Sequence, residues 1–300
     1  MALAVILALG SALAYGVSDF LGGTAAARLR VIPTTILSYV TATVVLTILI
    51  LVTGGVWSGA VLLWGSVAGV AAVVGFVTFY AAMAIGPMSL VSPLIAVLGS
   101  AVPVVAAVAF GEQLSLWAWA GIVFALAGAV LISSQPKGGG GRMTIRAAVL
   151  SVIAGVSLGT SVIALDRAPA DSGSLAAFVE IVVGLVLLAL VAVAGLLIAG
   201  LGRAVRHLGG TDVIEGNRRA NIVAALASGV LLAAANAGIL AALQTGSLAI
   251  VSVLVGLYPL ATLLLARIVG GERMTRLQLT GAGLAIAASA VLGLALGGAA

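Results

Sequence analysis

Two carboxylates stand in parts of this 300-residue sequence that otherwise avoid charge. Asp19, in "AYGVSDFLGG", is the one charged residue between Ala2 and Ala27, and Glu180, in "LAAFVEIVVGLV", is equally isolated. An ionisable group inside a long apolar segment is costly, so a role in ion coupling, gating or substrate contact is the default expectation. The plain alternative is structural. Asp19, about 6 Å from the expected end of its helix, would then pair with Arg28 or Arg30, and Glu180 would be a boundary residue satisfied by a neighbouring helix end. Both are candidate coupling carboxylates. Asp19 has the stronger claim, because Ser11, Tyr15, Ser18, Asp19 and Gly22 recur at helical spacing and form one narrow polar stripe that should face protein or a cavity.

Other polar positions repeat the same choice between chemistry and packing. Asn236 and Gln244 share a helix face and suit interhelical hydrogen bonds or solute contact. Phe76, Tyr80 and Met83 fit core packing better than an aromatic wall. Ser92, Ala96, Gly99, Ser100 and Pro103 form a small-residue stripe echoed by Ser252, Gly256 and Pro259, and Pro93, Pro103 and Pro259 are expected to bend their helices. Glu112 and Glu272 read as caps at the start of the helices that follow them. The one His, His207, lies in a polar loop, there is no Cys, and no phosphate-binding loop motif occurs. No catalytic constellation, metal site or cofactor is implied.

The elements that must hold these residues are membrane helices. Charged residues make up 7% of the chain and apolar ones 63%, with a mean hydropathy of +1.36. Runs of about 20 apolar residues recur, each long enough to cross a hydrocarbon core. Ten spans are expected, at about 3–23, 32–53, 60–85, 88–110, 115–133, 147–165, 174–200, 221–243, 247–268 and 277–297. The first is read as an uncleaved span, since "MALAVILALGSALAY" lacks the basic start of a signal peptide. Forty Gly against seven Pro indicate close helix packing, with GxxxG pairs at Gly65/Gly69 and Gly155/Gly159. The sequence pI of 10.4 comes from a few loop Arg residues and reads as membrane topology, not as a nucleic-acid surface.

The Gly-rich stretch "SSQPKGGGGRMTIR" divides the spans five and five. A shift of 160 positions superimposes "AIGPMSLVSPL" on "QTGSLAIVSVL" and the Gly111–Glu112 pair on Gly271–Glu272. The expected units are 1–134 and 147–300, joined by 135–146. Five being odd, the second copy must cross the membrane in the opposite sense to the first. The sequence therefore implies an all-α integral membrane protein with ten transmembrane helices in two inverted five-helix repeats.

The ten-span duplication, the Gly-Glu pairs in "FGEQLS" and "GGERMT", and a first span "ALAYGVS" with Tyr15 where many members carry Trp resemble the EamA-like transporters of the drug/metabolite transporter superfamily. One departure is the lack of basic residues in "LVTGGVWSGAV". The resemblance implies a secondary carrier, often an exporter of metabolites or toxic compounds, in the plasma (inner) membrane, with both termini inside. Counting basic residues gives the opposite orientation. All thirteen except Arg167 fall on one side of the spans, which puts the termini outside by the positive-inside rule. The expected partners are the lipid bilayer and a small-molecule substrate, held near the midplane by Tyr15, Ser18, Ser92, Ser100, Asn236, Ser252 and Tyr258. Two other classes compete: a membrane enzyme acting on lipid, for which clustered acids or His at one face are missing, and a non-transporting assembly subunit.

Overall fold

Inside lipid the backbone has no water to pair with, so an apolar chain that stays there must form helices. The computed structural model describes residues 2–29, 31–85, 88–133, 143–197, 217–270 and 275–297, and among them there is no strand. The first half holds α1 (Ala2–Leu29), α2 (Val31–Thr53), α3 (Gly59–Ile85), α4 (Met88–Ala109) and α5 (Leu116–Ser133). The second holds α6 (Ile145–Asp166), α7 (Leu175–Leu197), α8 (Arg218–Thr245), α9 (Leu248–Val255), α10 (Tyr258–Gly270) and α11 (Arg276–Gly297). The helices α1, α2, α3, α6, α7 and α8 are individually long and apolar enough to cross a membrane, and shorter apolar helices lie in α4, α5, α9–α10 and α11.

Two elements depart from the expected spans. The first helix runs six residues past Gly23, because five of the six residues of "TAAARL" are strong helix formers. Asp19 consequently stands ten residues, about 15 Å, from the helix end, and not at a boundary. The ninth span is not one helix but two, interrupted at Gly256 and Leu257. Pro259 has no N–H to continue the ladder, and it fits the first turn of α10. At the break the Leu257 N–H donates to the Leu254 carbonyl at 3.2 Å, and Leu260 N–H to Leu257 at 2.9 Å. By contrast, α4 remains one helix through Pro93 and Pro103.

The packing is symmetric under exchange of the halves. The α1–α8 and α3–α6 contacts are counterparts, as are α2–α8 with α3–α7, and α4–α6 with α1–α10, while α2–α7, α5–α11 and α4–α9 pair with themselves. Glycine sets these distances. A Cβ at Gly155 would meet the Ile95 carbonyl at 3.1 Å, and one at Gly65 the Ala176 carbonyl at 2.9 Å. The shift of 160 residues also carries Gly69 onto Gly229. A Cβ at Gly69 would meet the Glu180 carbonyl and Val183 Cβ, and one at Gly229 would meet the Ser38 carbonyl and Thr41 Cβ. The same joint is thus built twice, with Glu180 on α7 where α2 has Ser38.

The outward stripes, such as Leu3, Ile6 and Leu13 on α1, are exposed and apolar, as lipid-facing surface requires. The exposed Trp57, Trp117 and Trp119 gather where α3 and α5 begin, as interfacial aromatics do.

Candidate functional site

The polar stripe of α1 lies along α8. Ser11 Oγ faces Gly238, the Tyr15 hydroxyl donates to Asn236 Oδ1 at 2.9 Å, and Ser18 Oγ donates to the Ser228 carbonyl at 2.9 Å. Asn236 is buried and donates its own Nδ2 to the Leu232 carbonyl at 2.9 Å. Tyr15 and Asn236 are therefore a side-chain bridge between the two halves, in the interior of the bundle.

Around this bridge the structure gathers the acidic groups. Tyr15 stands within electrostatic range of Glu180, Tyr39 and Asp19. Tyr39, from α2, is buried against Gly184, one turn beyond Glu180 on α7. Glu180 is buried, and its Oε1 accepts from Ser161 Oγ at 2.8 Å. Asp19 is exposed. At 100° per residue it points roughly 150° away from the lipid-facing Leu3, Ile6 and Leu13, so its exposure is toward an opening between helices and not toward the bilayer. Arg28 does not neutralise it, because its guanidinium reaches Asn221 Oδ1 at 3.4 Å on α8. Arg30 lies outside the described residues. The cluster thus holds two carboxylates and two phenols, from both halves, and no basic side chain of the described residues enters it.

The other expected solute contacts are placed differently. Ser100 is buried and its Oγ abuts Gly256, at the break between α9 and α10. Tyr258 opens α10, half-buried. Ser252 turns back on its own helix, donating to the carbonyls of Leu248 at 2.7 Å and Ala249 at 3.1 Å. The side chain of Ser92 lies outside the described residues. Gln244 donates to the Gly173 carbonyl at 3.0 Å and so ties α8 to the connection before α7. Phe76 is exposed on the outside of α3, so it neither packs the core nor forms an internal wall; the side chains of Tyr80 and Met83 are outside the description.

Glu112 is a cap, but of a different helix from the one expected. Its carboxylate accepts from Ser247 Oγ at 2.6 Å and from the backbone N–H of Leu248 at 2.9 Å, so it closes α9 in the opposite half. The start of α5 is served by Ser115, whose Oγ accepts from the Ala118 N–H at 3.2 Å. Gly111, at φ 96°, makes the left-handed turn that aims Glu112 away from its own helix. Glu272, Lys137 and His207 lie outside the described residues, as does the Gly-rich run.

Sequence reading missed Tyr39, Ser161, Ser38 and Ser228. Ser38 and Tyr39 carried a signal, as adjacent polar side chains in a "TILSYVTATVVL" whose other residues are aliphatic or Thr. Ser161 carried little, since its significance depends on Glu180, 19 positions later and on another helix.

Fold and site together define a multi-pass membrane protein, all-helical over the described residues, of two five-span units with a polar cluster between them. The EamA-like transporter family matches residues 2–134 and 145–294, and the chain belongs to that family. A solved structure described only as "Crystal structure of protein" is similar over 96% of this chain and 95% of its own, with a TM-score of 0.69 at 20% identity, a likeness of fold. No curated protein matches the sequence.

Proposed function

We propose that this protein is a secondary carrier that moves a small organic solute, outward, by alternating access between two inverted repeats. The observation that carries the reading is the Tyr15–Asn236 bridge, a hydrogen bond between halves that sits among Asp19, Glu180 and Tyr39 with no basic partner among the described residues. Packing alone does not call for two carboxylates there, whereas a solute path between repeats does. The dividing segment is 135–146, with repeats 1–134 and 147–300 on either side.

The solute-facing set is Tyr15, Ser18, Ser92, Ser100, Asn236, Ser252 and Tyr258, with Tyr15 and Asn236 the best supported. Ser18 and Ser252 would exchange their present hydrogen bonds as the helices move. Mostly hydroxyl and amide chemistry suits a small polar or amphiphilic solute. Asp19 and Glu180 supply the charges through which an ion gradient is linked to transport. The protein resides in the plasma membrane with both termini outside, in accord with the clustering of basic residues on the opposite side.

The test is uptake by proteoliposomes against pooled cellular metabolites, with and without a pH gradient. Enrichment of a solute by wild type and not by Asn236→Leu supports the reading. Equal retention of every solute by empty and loaded vesicles contradicts it.

A further inference from the structure

Glu180 is the sole charged side chain that is buried among the described residues, with 7% of its surface exposed. Ser161 donates to Oε1, while Oε2 is enclosed with no hydrogen-bond partner at all. A buried carboxylate left in this state is among the most expensive features a membrane protein can hold. Either the fold needs it, or something outside the chain completes it.

The fold does not need it. Its counterpart in the first half is Ser38, at the same glycine joint, and Ser38 is satisfied by donating to the Ala225 carbonyl at 3.0 Å. Nor does a cation among the described side chains complete it. The helices around Glu180 bring Tyr15 from α1, Tyr39 from α2, the bare Gly65 and Gly69 from α3, and Ser161 from α6. The acidic Asp19 reaches the same cluster through Tyr15. At the nearby end of α6, Arg167 instead stacks its guanidinium 3.7 Å over the Phe110 ring, next to Asp166. The missing partner is positively charged, and it is small, because Oε2 offers no accessible surface to an organic ammonium group.

We propose that Glu180 and Ser161 form the seat of one small monovalent cation, a proton or a sodium ion, where Ser161 of α6 reaches Glu180 of α7. Ser161 holds one carboxylate oxygen in place and the cation occupies the other. That its loading is linked to solute movement rests on the carrier reading above; the seat itself does not.

The experiment is thermal unfolding of the purified full-length chain in detergent, for wild type, Glu180→Ser and Glu180→Gln. Sodium is varied from none to about 100 mM against choline at constant ionic strength, and pH is varied separately. A ligand that binds only the folded state raises the midpoint as its concentration rises. If the occupant is sodium, the wild-type midpoint climbs by several degrees with sodium and both variants stay flat. If it is a proton, the wild-type midpoint falls, relative to both variants, as pH rises, and sodium does nothing. Wild type and variants that run parallel in both titrations overturn the proposal. Should Glu180→Ser not fold, Glu180→Gln, which keeps the volume, is read alone by the same criteria. No transport is measured here, so a positive result beside silent proteoliposomes would keep the seat and remove the carrier reading.

Discussion

The joint between α2 and α8 and the joint between α7 and α3 are one piece of architecture used twice. In each a glycine admits a carbonyl from the neighbouring helix, and in each a serine from α1 or α6 stands beside it. At the first joint both corresponding serines find a backbone carbonyl: Ser38 donates to Ala225, and Ser18 to Ser228. At the second, Glu180 replaces Ser38, Ser161 is spent on one of its oxygens, and the other is left empty. The geometry shared by the two joints reports what folding requires. Their difference marks where chemistry was added to one half only.

Swapping the distinguishing residue strains this comparison most. Ser38→Glu places a second unpaired carboxylate in a closed joint and is expected to destabilise the protein by several kcal/mol. The reverse exchange, Glu180→Ser, should leave the fold as stable as before, or more so, while abolishing any ion dependence. Unfolding midpoints of the two variants, compared with wild type, check the pair, and equal losses in both would erase the distinction. The shared part is probed next. Gly69→Ala and Gly229→Ala each drive a Cβ into a carbonyl and a side chain, and each should cost about 1–3 kcal/mol. A large cost at one and none at the other would mean that the joints are not equivalent.

Much of this architecture can be read along the chain. The ten spans, their division five and five and the inversion follow from apolar length, a Gly-rich interruption and the parity of five. The break in the ninth span is legible only in part: Pro259 marks where a bend is expected, but α4 runs unbroken through Pro93 and Pro103, so a proline alone does not tell a bend from a break. Nor does hydropathy mark the end of α1, because apolar character falls off after Gly23 while the Ala-rich chain remains helix-forming. At the site, Asp19 and Glu180 were visible as charges out of place. Their environments were not, since Tyr39, Ser161 and Asn221 come from other helices.

Smaller effects refine the comparison between halves. Glu112→Ala removes the cap that the first half places on α9 and should cost about 1 kcal/mol, whereas Ser115→Ala loosens only the start of α5. Double substitution shows whether the two are independent, and their additivity is expected. Smaller still, Tyr15→Phe deletes the bridge to Asn236 for about 0.6 kcal/mol, too little to threaten folding. Its effect should fall instead on solute affinity in proteoliposomes, and an unchanged affinity would confine Tyr15 to packing.

On the carrier reading, a water-filled path opens between the repeats at this cluster. The chain has no native cysteine, so single cysteines at Ser18, Ser100 and Ser252 can be challenged in membranes with a water-soluble thiol reagent, using loop cysteines as controls. At least one of the three interior positions is expected to be labelled, and transported solute should slow its labelling. Full labelling of the loops with all three interior positions inert would contradict it.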